Sequence, residues 1–256
     1  MKKFIVLLFA IVISSFNLVA ENTNAKSGYE IVKQSFNMWR GQESSSSTLT
    51  MRVVRPDRDE SMSLKSLSLG DDKSISKFIA PAKYKGQAIL VQGDSMWTYS
   101  PKSRRSIKIS NSLKSKPWMG SDMSYDDISV SLDSLKQYTY NVKMGKKNND
   151  SIYIIEAIPF NNAPIVWGKE IYYIRISDNA MLSKEFFDQS GVMIRRFDAL
   201  EIGYYKGDKQ KPIMSHMRVT NLEKDGYYTD FKIENTEFNL PISQDTFSLA
   251  NLERPN

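Results

Sequence analysis

The chain contains no cysteine. That absence excludes structural disulfides and thiolate zinc sites, and it excludes a lipoprotein acylated on an N-terminal cysteine. Histidine is almost as scarce. His216, in Ser215-His216-Met217-Arg218, is the single one, so no histidine pair is available to hold a metal, and neither a metal nor another cofactor is expected. A catalytic triad at His216 needs a nucleophile and an orienting acid beside it; an ordinary strand histidine is the expectation, and a hydrolase reading requires activity that His216→Ala abolishes. Nucleophile elbows, glycine-rich phosphate loops and calcium loops are missing as well. No long apolar run follows residue 18, so the mature chain is expected to be soluble.

What is present begins with a positive start, Met1-Lys2-Lys3, and an almost wholly apolar stretch over residues 4–18. This is the pattern of a secretory signal. The run is short of the roughly 20 apolar residues that span a bilayer, and the small Ala20 precedes the polar Glu21-Asn22-Thr23-Asn24. Cleavage after about Ala20 and a periplasmic destination are expected, the alternative being an uncleaved anchor. Residues 21–256 then form one domain, expected as a monomer. The formal charge of +6 includes Lys2 and Lys3, and the other basic residues are scattered among acids. Nucleic acid is not an expected partner.

Tyr29, Val32, Phe36 and Trp39 recur at spacings of three and four, which predicts an amphipathic helix over 28–41, capped by Ser27 and ended by Gly41. The serine run 44–48 reads as a loop. Beyond it, segments rich in Ile, Val, Tyr, Phe and Thr alternate with turn formers such as Pro56-Asp57, Gly70-Asp71-Asp72, Gly93-Asp94 and Asp225-Gly226. This punctuation predicts antiparallel hairpins. The predicted strands are 49–54, 62–69, 74–79, 86–91, 95–99, 105–109, 138–143, 152–157, 170–176, 182–187, 193–201, 213–221 and 227–234. A sheet of that size curls. The expected fold is therefore mainly β with few helices: a large curled antiparallel sheet forming an unclosed half-barrel, with helices covering the concave face. The second helix is expected over 124–135, capped by Asp122.

The carboxylate pairs Asp71-Asp72 and Asp126-Asp127 could in principle serve a glycosidase, but a hairpin turn and the first turn of a helix are where acids belong for structural reasons. Twelve methionines, thirteen tyrosines, twelve phenylalanines and four tryptophans suit either a large core or a surface that accepts varied apolar ligands.

Gly93, Trp97, Tyr99 and Pro101 form a turn, a strand and a stop. With them, the chain resembles the periplasmic lipoprotein-carrier (LolA-like) superfamily, and Gly120-Ser121-Asp122 with Tyr125-Asp126-Asp127 looks like its outer-membrane lipoprotein-sorting branch. The resemblance implies an unclosed barrel whose helices form a lid over an apolar cavity. Such a cavity would receive the acyl chains of a lipid or lipoprotein, and the protein would act at times alongside an inner-membrane transporter of the resistance-nodulation-division type. Ala80-Pro81 departs from the pattern, because the best-known carriers place a lid-latching arginine before that proline.

Strand parity suggests Phe78, Leu90, Trp97, Tyr99, Tyr153, Ile155, Tyr172 and Ile174 as lining residues, in a list that a one-residue register error inverts. The basic segment holding Arg104, Arg105 and Lys108 is either a solvated hairpin or the docking surface of an envelope binding or sensing module that ferries no cargo.

Overall fold

The computed structural model describes residues 26–40, 43–207 and 211–254. The leader expected over 1–20 and the helix stop at Gly41 lie outside the described residues. Helix α1 (Gly28–Arg40) begins where the Ser27 hydroxyl accepts from the Glu30 amide at 3.2 Å, a cap for one of the helix's orphan donors.

The first meander is β1 (Ser44–Arg55), β2 (Arg58–Leu69), β3 (Lys73–Ala80), β4 (Ala88–Gln92), β5 (Ser95–Ser100) and β6 (Arg105–Lys108). The second is β7 (Tyr138–Lys147), β8 (Asp150–Pro159), β9 (Lys169–Arg175), β10 (Met181–Phe187), β11 (Met193–Tyr204), β12 (Pro212–Asn221) and β13 (Tyr228–Phe238). Pairing of β1 with β13 joins them into one thirteen-stranded antiparallel sheet that does not close into a barrel. Its two edges are β6 and β7. These strands are consecutive in the chain, so the connection 109–137 must travel from one edge to the other across a face of the sheet.

That connection carries α2 (Asn111–Lys114), α3 (Tyr125–Ser129) and a 3₁₀ turn at Ser134–Gln137. Ile128 packs both against residues of β1–β5 and against a cluster from β10–β12. One side chain can touch both meanders only if the sheet curls inward beneath it, so this is the concave face. Helix α1 lies on the same face, against β7, β9 and β12. Its start sits so close to β7 that a Cβ on Gly28 would fall 2.5 Å from Tyr140 Cβ. The convex face is covered over β3–β5 by the C-terminal segment that ends in α4 (Leu249–Glu253).

Three expectations change. The serine run is strand, because Ser44–Thr48 pairs with both β2 and β13, and its hydroxyls bond across the sheet: Ser45 with Ser68 at 2.6 Å and Ser47 with Thr236 at 2.8 Å. Cross-strand partners thus override a composition that suits loops. The helix expected over 124–135 is only the five residues of α3, and Ser124 caps it in place of Asp122. Asp122 is otherwise engaged, as described next.

Candidate functional site

Because side chains alternate across a strand, the registers sort the sheet's residues onto two faces. Leu49, Met51 and Val53 of β1 share the concave face with Met62 and Leu64, Phe78, Ile89 and Val91, and Met96. On the other side of the β1–β13 pairing, Phe231, Met217, Phe197, Tyr172, Ile155 and Tyr153 continue the same face. The result is an apolar surface running through both meanders. From above, Ile31 and Val32 of α1 and Trp118, Met123, Ile128 and Leu135 of the crossing segment pack onto it. Segment 109–137 is in this sense a lid.

Five of the eight lining candidates, Phe78, Tyr153, Ile155, Tyr172 and Ile174, lie on this face. Leu90, Trp97 and Tyr99 lie on the opposite one, packed with Phe247 and Leu252 of the C-terminal segment. The one-residue hazard materialised in β4 and β5, whose concave residues are Ile89, Val91 and Met96.

The lid is held by polar anchors that sequence reasoning missed. Arg55, at the end of β1, donates to Asp122 Oδ2 at 2.8 Å and to the Gly120 carbonyl at 2.6 Å. Asp122 also accepts from the Thr229 hydroxyl at 2.7 Å. Arg195, in β11, grips both oxygens of Asp127 at 2.8 Å. At the far end, Asp71 accepts from the Leu132 amide at 3.1 Å. Both arginine–aspartate pairs are buried, with side chains at most 10% exposed. Two arginines from the sheet therefore hold the Gly120–Asp127 motif, in a chain that has Ala80 where a latching arginine was expected. Asp127 additionally closes a capping box with Ser124.

Beside Arg195 lies a polar island in the apolar face. Glu170 is ion-paired to Lys184 at 2.9 Å and accepts from the Tyr172 hydroxyl at 2.7 Å. Burial first, and then the charge of Glu170, hold the Tyr138 and Tyr172 hydroxyls protonated far above the ordinary phenol range. They remain hydrogen-bond donors at any physiological pH. Nothing in the sequence marks these charges except that Glu170, Lys184 and Arg195 occupy the strand parity of the apolar face.

Half-buried Asp126 has its carboxyl pushed above its ordinary 3.8, by burial first and by neighbouring Asp127, with Lys114 opposing. The native state then holds this proton over a pH window where the unfolded chain has lost it. Stability from this group accordingly falls as pH rises from 3.8 through the raised value. Asp126→Asn is expected to raise the Tm at neutral pH, with the gain shrinking on acidification; a gain independent of pH would contradict the assignment.

The other candidates are dispersed. Arg104 and Arg105 are exposed in the turn and first residue of edge strand β6, and Lys108 stands over the Trp97 ring at 5.3 Å. His216 faces Asp230 at 3.9 Å on the convex side, and the neighbouring Ser215 hydroxyl donates to the Glu201 carbonyl. A cleft of about 490 Å³, also convex, is lined by charged residues such as Arg196, Asp198 and Arg218 together with Leu182 and Leu200. Among the described residues no cluster of metal-ligating side chains occurs, and no helix is long and apolar enough to cross a membrane.

An open curled sheet with α1 and a crossing lid on its concave face is a LolA-like fold. Residues 70–254 match the model of the family described as "-like: Uncharacterized protein", and the chain belongs to that family. Among solved structures it is similar to a domain from Vibrio parahaemolyticus described as an outer membrane lipoprotein-sorting protein, with 25% identity over 89% of this chain and 98% of that one and a TM-score of 0.77. It is also similar to a DUF1329 family protein from Desulfovibrio piger, with 23% identity over 88% and 97% and a TM-score of 0.80. A LolA superfamily protein from Nitrosomonas europaea shares the fold at 17% identity over 89% and 100%, with a TM-score of 0.72. No curated protein matches the chain.

Proposed function

We propose that the protein is an exported envelope carrier that holds the acyl chains of a lipid or lipoprotein against its concave face and moves them between membranes. One observation carries this reading: a continuous apolar surface is roofed by a segment whose polar attachments are a few discrete side-chain clamps. Such a roof can lift without dismantling the sheet. The need is physical. An acyl chain of about 15 carbons forfeits on the order of 12 kcal/mol on entering water, at about 0.8 kcal/mol per CH₂, so unassisted transfer is slow. A carrier offsets most of that and must still release its load, which favours a movable lid over a rigid pocket. The binding is non-covalent and requires no catalytic group. In the same reading, the carrier is a periplasmic monomer made of one domain after a cleaved leader.

The absence of cysteine offers a direct test. Asp122→Cys/Thr229→Cys places a cysteine pair where lid and sheet already touch, the Thr229 hydroxyl lying 2.7 Å from the Asp122 carboxylate and 3.0 Å from its amide nitrogen. The oxidised protein is expected to lose uptake of a fluorescent fatty acid, and reduction to restore it. Equal uptake in both states would overturn entry beneath the lid.

A second reading, a module that docks a membrane transporter of the resistance-nodulation-division type without carrying cargo, draws support from the exposure of Arg104, Arg105 and Lys108 beside the free edge of β6. Charge reversal at Arg104 and Arg105 would then abolish association with the partner and leave lipid uptake intact.

A further inference from the structure

The chemistry of Arg195 constrains the cargo. This residue is 8% exposed and sits in a box of aromatic rings, with its guanidinium carbon 4.3 Å from the centre of Phe186, 4.5 Å from Trp167 and 5.1 Å from Phe197. Its Nε is buried and has no hydrogen-bond partner. Its Nη atoms donate to the Asp127 carboxylate and, at 3.2 Å, to the Asp122 carbonyl. Both acceptors belong to the lid. Among the described residues the sheet supplies this cation with aromatic faces and no carboxylate of its own. Lys184, by contrast, keeps its sheet partner Glu170 whatever the lid does.

Cargo that takes the lid's place therefore strips Arg195 of its counter-ion while the cargo's chains keep it covered, and a buried charge that loses its partner is strongly destabilising. A neutral hydrocarbon ligand does nothing to relieve this. A phosphate or carboxylate relieves it fully, because a guanidinium pairs with either in bidentate fashion, as it pairs here with Asp127. Lys184, whose Nζ is 4.5 Å from the same Phe186 ring, is neutralised by Glu170 at 2.9 Å, so Arg195 alone is left with an unmatched positive charge.

We propose that the concave face selects an anionic amphiphile, whose phosphate or carboxylate head group replaces the Asp127 carboxylate on Arg195 while its chains take the place of the lid's apolar side chains. Asp127 is then a built-in competitor that occupies the head-group site in the closed state. This inference rests on the lipid-carrier reading above.

The test compares phosphatidylglycerol with diacylglycerol of the same acyl chains, each titrated into the full chain. The wild type is expected to bind phosphatidylglycerol about tenfold or more tightly than diacylglycerol, the worth of a charge-assisted hydrogen bond. Arg195→Gln is expected to reduce that ratio to near one, whatever the removal of this clamp does to the absolute affinity for diacylglycerol. Asp127→Asn, which leaves Arg195 in place and removes its competitor, is expected to tighten phosphatidylglycerol binding, and it keeps the test decisive should Arg195→Gln fold poorly. Equal binding of both lipids, or an Asp127→Asn variant no tighter than wild type, overturns the head-group site while the carrier reading survives. Binding of neither lipid removes the carrier reading itself.

Discussion

Arg55→Ala is expected to lower the unfolding free energy by about 3–5 kcal/mol, the cost of stranding one member of a buried ion pair. The variant leaves Asp122 with a single strong donor, the Thr229 hydroxyl, and leaves the Gly120 carbonyl without its partner. The magnitude reports the unpaired charge and not the net worth of the pair, so the double variant Arg55→Met/Asp122→Leu is expected to recover most of the loss. Urea unfolding of the three variants and the wild type measures both quantities. A loss below about 1 kcal/mol for Arg55→Ala, in the range of a surface pair, would mean that the clamp does not hold the lid.

Phe247→Ala is expected to cost a similar amount, about 3–5 kcal/mol, for a different reason. Phe247 is 1% exposed and fills the convex side of the sheet with Leu252, Leu90 and Trp97. Its removal leaves a cavity far from the lid, so folded molecules of this variant are expected to take up fluorescent fatty acid as well as wild type does. Loss of uptake without loss of stability would place lipid binding on the convex face instead. The comparison thus separates the two apolar surfaces of one sheet.

Why these surfaces were hard to tell apart in the sequence is instructive. The thirteen strands were legible because turn formers punctuate them and every strand but β2 carries β-branched or aromatic residues. In β9 the alternation is strict, with Glu170, Tyr172 and Ile174 buried and Ile171 and Tyr173 half-buried, so the face could be assigned by parity. In β4 it could not. Ala88, Ile89, Leu90 and Val91 are all buried, because the lid covers one side and the C-terminal segment the other, and a strand covered on both faces loses its period. The covering segment has no long apolar run of its own: α4 spans five residues, and the segment acts through Phe247 ahead of it and Leu252 within it. The clamps were half visible. Asp122 and Asp127 belong to a recognisable motif, whereas Arg55 and Arg195, the latter followed directly by the half-exposed Arg196, are basic residues on strands, indistinguishable in sequence from solvated ones until pairing sets them opposite the lid.

The central claim is that lipid occupies the concave face, and native mass spectrometry of the protein purified gently from the cell envelope tests it most directly. The spectrum is expected to show the polypeptide with the added mass of one lipid, lost on raising the collision energy and reduced in the oxidised Asp122→Cys/Thr229→Cys variant. A bare polypeptide mass in every preparation, from a protein that also fails to take up fluorescent fatty acid, would contradict it.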